Sequence, residues 1–434
     1  MEDQNIGTPA ESETLVNYCV PRPEDKVRMT LGRSPHIIAA FLTLVTLAAL
    51  ARQPGTRFLR LAILPFAVIL TLRLTYGFVW WDFPLNGISF LAGAYSILMI
   101  MKVLQLGLSP NGILKLGEKV PGEITVPASD LVVRDPPKRA ARAPGSLTLV
   151  EHFLSGIGWE FGSGTKIQIP PETRDVSDTS KFLRQTYQSA VIHFLYVDLI
   201  DVFISLVPGI GTPDGGSIFV FGQNTVERYL ISALLHFITS LSLIYKLHFG
   251  YDFLTMIGVG LIGQHPTSWP PVISTTVITS TSMHSFWARD WHQLFRQTFL
   301  TLGGYPFQAI FGSSGLLWGT FLASGVLHVW GLYVTGRGTD WDSVIYFGLQ
   351  PLALIAERAW YRVTKRRVGG FFGWIWAWLW VQVFGQFLTN SWHRRGFSGG
   401  IFVPPALSPT RLLLLPKVLP YIQPILQRYF TPTA

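Results

Sequence analysis

The stretch that decides the fold is LLWGTFLASGVLHVWGLYV, Leu316 to Val334. About 20 consecutive apolar residues suffice for a helix that crosses a bilayer, so this stretch predicts a membrane-spanning helix with His328 at membrane depth. An ionisable side chain is costly there and marks a candidate functional site. Ser324 lies one turn earlier on the same helix face and can hydrogen-bond one ring nitrogen. The alternative is a histidine that only holds helices together, since membrane helices also use polar side chains in this way.

The composition places the whole chain in a membrane. Of the 434 residues, 49% are hydrophobic and only 14% are charged, whereas soluble domains carry about 25% charged residues. The formal charge of +9 suits loops that face anionic lipid or an anionic substrate, but no basic run or base-stacking module indicates nucleic acid. The single cysteine, Cys19, excludes an internal disulfide and a multi-cysteine metal site, so we expect no metal centre.

The apolar stretches predict an all-α polytopic protein with about eight to ten membrane helices that enclose a catalytic chamber. The stronger candidate spans are His36–Ala51, Phe58–Val79, Ile88–Leu108, Gln188–Val207, Val226–Leu247, Gly312–Val334, Ser343–Tyr361 and Gly370–Leu388. The weaker candidates are Phe253–Ile262, Arg296–Phe311 and the Pro-punctuated tail Leu412–Tyr429.

The polar segments divide the chain into a tail, 1–35, and one membrane domain, 36–434. The tail is mildly acidic, and we expect no cleavable signal peptide. A long polar loop, 109–184, contains the basic cluster Arg134, Lys138, Arg139 and Arg142. Basic residues also follow the first span and Ser343–Tyr361, and placing all three groups in the cytosol satisfies the positive-inside rule. The N-terminus is then lumenal and Ser285–Arg296 begins in the cytosol, although His393–Arg395 fits this topology badly.

A second signal lies upstream of His328, in the run HSFWARDWHQLFRQTF from His284 to Phe299. Its spacing predicts an amphipathic helix with Arg289, His292 and Arg296 on one face, and with Trp287, Trp291 and other apolar residues on the opposite face. Such a helix can simply lie at the membrane interface with its arginines reaching water. The functional interpretation is an anion-binding face, because the planar guanidinium fork suits phosphates.

These residues carry a family resemblance. SFWARDWHQLFR resembles the FWGRRWHQLFR element of the wax-synthase-like branch of the membrane-bound O-acyltransferases. Three further pieces are similar to motifs of the same family: Trp269-Pro270-Pro271, FLASGVLH ending at His328, and SGIGWEF from Ser155 to Phe161. The fungal members of this branch include acetyltransferases that act on terpenoid and meroterpenoid alcohols. The motifs that the resemblance places at the catalytic core lie within 266–335.

The resemblance implies roles for individual residues. His328 corresponds to the catalytic histidine, and His292 to the second motif position. The resemblance and the helix pattern assign Arg289, Arg296, Trp287, Trp291 and Ser324 to substrate and coenzyme A binding. The sequence departs from the motif at three positions: Ala288 replaces a glycine, Asp290 replaces an arginine, and Ser155 replaces another arginine. The lost arginines put a specific phosphate contact in doubt and leave the proposed base in place.

We therefore expect an enzyme that transfers an acyl group, acetyl by resemblance, from acyl-CoA to a lipophilic alcohol of the terpenoid or meroterpenoid class. A neutral His328 would accept the hydroxyl proton as the alcohol attacks the thioester, and His292 would polarise the carbonyl or position the donor. The resemblance implies no bound cofactor, acyl-CoA as co-substrate, residence in the endoplasmic reticulum membrane and coupling to other enzymes of a pathway.

Two alternatives stay open at this point. One is a wax-ester synthase that acts on long-chain alcohols, as in plant relatives of the resembled branch. The other is a proton-coupled transporter, because His193, Asp198, Asp201 and Glu357 are ionisable groups in apolar runs and could relay protons. Against the transporter, the sequence shows no inverted repeat and no paired broken helices.

Overall fold

The computed structural model describes residues 15–79, 86–115, 118–121, 123–124, 170–222, 224–271, 273–274, 276–335, 337–400 and 402–430. The first part of the tail, most of the predicted polar loop with its basic cluster, and the motif Ser155–Phe161 lie outside the described residues.

Helices dominate the described chain. In order they are α1 Leu15–Cys19, α2 Pro35–Ala51, α3 Arg57–Tyr76, α4 Asn86–Leu108, α5 Thr179–Ser205, α6 Thr225–Met256, α7 Met283–Ser285, α8 Arg296–Phe299, α9 Tyr305–Val334, α10 Asp342–Thr364, α11 Gly370–His393 and α12 Leu415–Tyr429. Single π-helical turns extend or join several of them, at Ile257–Leu261, Phe286–Asp290, Leu300–Gly304 and Thr410–Leu414. The strands are very short: β1 Val27–Arg28 pairs in parallel with β2 Phe78–Val79, and β3 Glu118–Val120 pairs antiparallel with β4 Glu123–Ile124. The predicted all-α class is confirmed.

Within the described residues, six helices are long and apolar enough to cross a membrane, which is fewer than the eight to ten that the sequence predicts. All eight stronger candidate spans form helices. Two of them are not among these six. In α4, the described side chains form an unbroken run only over Gly93–Leu108, which is a shorter apolar helix. In α10, charged residues lie toward both ends of the helix. Of the weaker candidates, Phe253–Ile262 continues α6 through a π-helical turn, and Leu412–Tyr429 becomes the exposed, proline-containing α12.

The long helical run Arg296–Val334 reverses direction at Gly312. This glycine has φ 66° and ψ −153°, a conformation that residues with a Cβ rarely adopt. On either side of it, Gly303 lies against Gly319 and Gly315 lies against Phe307. These two pairs share a midpoint at Phe311, next to Gly312, and so define a tight antiparallel hairpin of two helices. The sequence-based separation of Arg296–Phe311 from Gly312–Val334 therefore describes the chain better than one continuous span.

The segment before this hairpin runs along α10 into the interior. At its start, the backbone nitrogens of Met283 and His284 donate to the Glu357 carboxylate. Four residues later, the Trp287 indole donates to Gln350 at 3.2 Å. Glu357 and Gln350 are two turns apart on α10, or about 10 Å, so the segment moves inward by that distance. Irregular backbone is tolerated at membrane depth where it is buried in protein or lines a cavity.

Candidate active site

A cavity of about 460 Å³ lies between helices α6, α9, α10 and α11 and the segment 283–295, which runs inward along α10 and which we call the re-entrant segment. Its walls are mainly apolar and aromatic, and polar groups are few. We call this cavity the chamber. Six of the seven predicted site residues line it: Trp287, Trp291, His292, Arg296, Ser324 and His328. A volume of this size falls within the range of about 300 to 1,000 Å³ that is typical of small-molecule sites.

His328 projects from α9 into the chamber with one ring nitrogen already committed. Its Nδ1 lies 2.7 Å from the backbone carbonyl oxygen of Ser324. A carbonyl can only accept, so Nδ1 carries the proton and Nε2 keeps its lone pair. Ser324 thus holds the ring, as its position predicts, but through the carbonyl rather than the hydroxyl. The ring also stacks on Phe347, with the centroids 4.6 Å apart, and lies nearly parallel to Trp392.

His292 reaches the same chamber from an irregular loop. Its ring packs against Trp291 and Phe295. The ring also lies close enough to His328 that a positive charge on one imidazole would repel a positive charge on the other. The Nδ1 atom of His292 is buried and has no hydrogen-bond partner in the described part of the chain. No described contact therefore fixes its tautomer, and either nitrogen can carry the proton.

The predicted continuous amphipathic helix over His284–Phe299 is wrong. The helix widens into a π-helical turn at Phe286–Asp290 and stops at Trp291, whose backbone is extended. Two interactions favour this break over a regular helix. The amide of Gln293 donates to the carbonyls of Trp287 and Trp291, and Asp290 is fully buried against the Ser280 hydroxyl at 2.7 Å. Helical periodicity cannot predict these side-chain contacts, one of which reaches Ser280 outside the segment.

The predicted shared face of Arg289, His292 and Arg296 is lost with that helix. Arg289 does not line the chamber, and its guanidinium pairs with Asp290 at 2.7 Å while more than half of its side chain stays exposed. Arg296 does line the chamber, and it donates to the carbonyl of Ala288 and to the side chain of Gln293. Asp290, one of the three departures from the family motifs, is therefore the residue that neutralises Arg289.

The two arginines are expected to differ when mutated. Arg296→Ala should raise the KM for acyl-CoA about tenfold or more, because a charged hydrogen-bonding group is lost from the chamber wall and the Ala288 and Gln293 contacts are lost with it. Arg289→Ala should change this KM by less than about threefold, because Arg289 does not line the chamber and its guanidinium is already paired with Asp290. Steady-state kinetics with varied donor would test the contrast, and equal effects from both substitutions would contradict it.

Glu357 organises the start of the re-entrant segment. Its carboxylate accepts from the backbone nitrogens of Met283 at 2.6 Å and His284 at 3.0 Å, and from the Trp376 indole at 3.0 Å. The side chain is 9% exposed, so these donors replace water around a buried charge. Glu357 joins α10, α11 and the segment that carries His292, which gives this intramembrane carboxylate a structural role rather than a place in a proton relay.

Replacing Glu357 should therefore destabilise the site. We expect Glu357→Ala to lower the free energy of unfolding by about 3 kcal/mol, because three buried donors lose a charged acceptor. Glu357→Gln keeps the shape and should recover part of the loss. Thermal unfolding in detergent would measure both, with the exposed Glu24→Ala as the matched control. An unfolding temperature for Glu357→Ala equal to that of the control would show that the three contacts do not stabilise the segment.

The other ionisable groups that suggest a transporter are engaged in helix contacts away from the chamber. His193 on α5 lies 2.9 Å from Asp252 on α6. Asp201 pairs with Lys246 at 2.9 Å. Asp198 accepts from the backbone nitrogen of Thr410. None of these histidine and aspartate side chains lines the chamber, so they do not form a relay to His328 through it.

Several polar chamber residues escape the sequence analysis, among them His236, Tyr346, Arg358 and Gln382. The Tyr346 hydroxyl and the Gln382 side chain make no hydrogen bond within the described chain, although each residue is about 6% exposed. Polar residues inside the apolar runs Ser343–Tyr361 and Gly370–Leu388 are the signal that could find them. The sequence gives no sign of which helix face meets the cavity.

Comparison with known proteins agrees with the motifs. Residues 269–349 match the family model described as the membrane bound O-acyl transferase family. Three fungal acetyltransferases are similar to the chain. The acetyltransferase eriL of Hericium erinaceus is 26% identical in an alignment over 216 residues, and this alignment covers 45% of this chain and 54% of the relative. The acetyltransferase aurG of Calcarisporium arbuscula is 23% identical over 272 residues, 55% of this chain and 64% of the relative.

The third relative, the acetyltransferase spyB of Aspergillus fumigatus, is 25% identical over 223 residues, 47% of this chain and 36% of the relative. The chain thus spans between about a third and two thirds of the length of these relatives. The family match contains His292 and His328, the Trp269-Pro270-Pro271 turn and the FLASGVLH segment. The resemblance to the membrane-bound O-acyltransferases that these motifs predict is therefore confirmed.

Proposed function

We propose that this chain is an integral membrane acyltransferase that moves an acyl group from acyl-CoA to the hydroxyl of a lipophilic alcohol. The observation that carries the proposal is His328, whose Nδ1–H is held by a backbone carbonyl and whose Nε2 has no hydrogen-bond partner among the described residues around the apolar chamber. An imidazole in this state is a general base, because it can accept a proton and its orientation is already fixed.

The reaction follows from that geometry. An alcohol in the chamber donates its proton to Nε2 of His328 as its oxygen attacks the carbonyl carbon of the thioester. The tetrahedral intermediate collapses, the carbon–sulfur bond breaks, and the thiolate of coenzyme A leaves with the electron pair. The protonated imidazole returns its proton to this thiolate. Because the thiolate is a good leaving group, no covalent acyl-enzyme is required.

His292 is proposed to stabilise the negative charge that develops on the carbonyl oxygen. Its ring lies in the same chamber as His328, and a neutral imidazole can donate one N–H to an oxyanion. Preorganised donors of this kind contribute strongly where water is excluded, and the loss of one lowers kcat by about 10² to 10³-fold. The buried and unpartnered Nδ1 of His292 supports a role for this ring beyond packing.

The finer identity of the substrates belongs to the same proposal. The apolar chamber suits a hydrophobic acceptor, and the similarity to fungal acetyltransferases favours acetyl-CoA as donor and a terpenoid or meroterpenoid alcohol as acceptor. Such an acceptor would enter from the bilayer and be passed between enzymes of one pathway. By analogy with the family we place the protein in the endoplasmic reticulum.

The test is product formation by the expressed protein. Membranes that contain the full chain would be incubated with radiolabelled acetyl-CoA and a panel of sesquiterpenoid, diterpenoid and meroterpenoid alcohols, with a long-chain primary alcohol in parallel. We expect acetate esters of a terpenoid alcohol that are absent from control membranes. Esters formed only from the long-chain alcohol would favour a wax-ester synthase, and the absence of any ester in the whole panel would contradict the proposal.

A further inference from the structure

Positive charge collects on the part of α10 that borders the chamber. Arg358 is exposed and lines the chamber, and Arg362 lies one turn further along the same helix face. Lys365, Arg366 and Arg367 follow and are also exposed. Within the described chain, none of these five cations pairs with a carboxylate or makes a side-chain hydrogen bond. We call Arg358 and Arg362 the basic rim.

Neighbouring acids do not neutralise the basic rim. Glu357 is next in sequence to Arg358, but its carboxylate is buried and accepts from Met283, His284 and Trp376. Arg289, which the sequence assigns to phosphate binding, is in contrast already paired with Asp290. Arg296 also lines the chamber, but its guanidinium already donates to Ala288 and Gln293. Among the described residues, the chamber cation that makes no such contact, Arg358, lies on α10.

Membrane topology alone does not account for this placement. Basic residues at the end of a span are expected on the cytosolic side, and Lys365, Arg366 and Arg367 fit that rule because they follow the helix. The rule does not require a cation in the wall of an internal chamber. Arg358 lies there, and a charged side chain at such a position indicates a ligand of opposite charge.

The distance along α10 between the reactive centre and the basic rim matches the length of the pantetheine arm of coenzyme A. His328 stacks on Phe347, and Arg358 is on the same helix eleven residues later. At 1.5 Å per residue, the reactive centre and the basic rim are about 16 Å apart along the helix. The pantetheine arm of coenzyme A has about 13 bonds between its sulfur and its first phosphorus, which extend over roughly 15 Å. A thioester at His328 would thus place its phosphates at the basic rim.

We propose that Arg358 and Arg362 bind the phosphate groups of coenzyme A, while the pantetheine arm runs along α10 to His328. This inference rests on the proposed acyltransferase function and names the donor site within it. The guanidinium groups would make bidentate charged hydrogen bonds to the phosphates. Because the basic rim would recognise the phosphates of coenzyme A, substitutions in the rim should not change the binding of pantetheine, which lacks those phosphates.

The experiment measures binding, so that it does not depend on turnover. The full-length protein in detergent would be titrated calorimetrically with coenzyme A and, separately, with pantetheine. In Arg358→Gln/Arg362→Gln, we expect the Kd for coenzyme A to rise at least tenfold, because charged hydrogen bonds are lost, and the affinity for pantetheine to stay unchanged. Added salt should weaken coenzyme A binding to the wild type more than to this variant. Lys417→Gln/Arg428→Gln on the exposed α12 is the matched control, with the same loss of charge.

Three results would contradict coenzyme A binding by the basic rim. The first two are equal Kd values for coenzyme A in wild type and variant, and no measurable binding of coenzyme A to the wild type. The third is weaker binding that affects pantetheine equally, since that would indicate a general loss of structure. Arg358→Lys/Arg362→Lys should recover part of the affinity, because charge is kept while the bidentate geometry is lost. Failure of the proposed function gives a different result, namely coenzyme A binding without ester formation from any acceptor.

Discussion

His328→Ala should abolish ester formation while the protein inserts into the membrane and accumulates normally. A positioned general base contributes about 10² to 10⁴-fold to the rate, so kcat is expected to fall by at least a hundredfold. The Nδ1–H bond to the Ser324 carbonyl fixes the orientation of the ring. His236, another imidazole that lines the chamber, lies with its Nδ1 3.2 Å from the Thr389 hydroxyl. His292 is held by aromatic contacts only and should not substitute as base.

Ser324→Ala is the matched control for His328→Ala. Both residues lie on α9 and line the chamber, and both substitutions remove side-chain atoms from its wall. The bond to His328 comes from the backbone carbonyl of Ser324, which alanine retains. We therefore expect Ser324→Ala to keep kcat within about tenfold of the wild type. A loss as large as that of His328→Ala would mean that the serine hydroxyl takes part in the reaction.

The measurement is the initial rate with labelled acetyl-CoA, normalised to folded protein. His328→Asn retains a polar side chain of smaller size and should be as inactive as His328→Ala, because an amide cannot accept a proton at neutral pH. Substantial turnover in both variants, at normal protein levels, would remove His328 from the mechanism. It would then be a residue that packs against Phe347 and Trp392.

The sequence predicts those parts of the fold that depend on local pattern. Apolar stretches of about 20 residues locate the membrane helices because length and composition alone decide whether a segment can cross. The same reasoning places His328 in an apolar run. The motif resemblance then links it to His292, although the two are 36 positions apart and no periodicity relates them.

The sequence pattern cannot predict features that are fixed by specific side-chain contacts, whether the partners are near or distant along the chain. The break at Trp291 depends on Gln293 reaching two carbonyls and on Asp290 reaching Ser280. The pairing of Arg289 with Asp290 removes a predicted phosphate contact. The orientation of α10 decides that Arg358 faces the chamber, and an exposed basic residue near the end of a span looks the same in sequence whether it faces lipid headgroups or a ligand.

The helical hairpin around Gly312 should be the part of the fold most sensitive to small substitutions. A Cβ on Gly303 would collide with the backbone carbonyl oxygen of Gly319, and a Cβ on Gly319 would collide with that of Gly303. The obstacle in both cases is backbone, which cannot rotate away as a side chain can. The two helices would have to separate along their whole contact. Small residues are common where membrane helices approach closely.

We expect Gly303→Ala to lower the free energy of unfolding by about 3 kcal/mol, at the upper end of the usual cost of overpacking. Gly303→Leu should prevent accumulation of folded protein. Gly348→Ala is the matched control on α10, because its nearest neighbour would be a leucine methyl group at 3.7 Å. In a helix this change should be neutral or stabilising by up to about 1 kcal/mol. Thermal unfolding in detergent and size-exclusion profiles of the tagged protein would measure all three.

The Gly303→Ala substitution should also affect the reaction. The first limb of the hairpin begins at Arg296, directly after the loop that carries His292, and the second limb carries His328. Separating the limbs therefore moves His292 relative to His328, and a displacement of about 1 Å can lower a rate by a hundredfold. Folded Gly303→Ala protein should thus have a reduced kcat even below its unfolding temperature. Wild-type stability and turnover in Gly303→Ala would show that the limbs are not in backbone contact and that another element holds His292 beside His328.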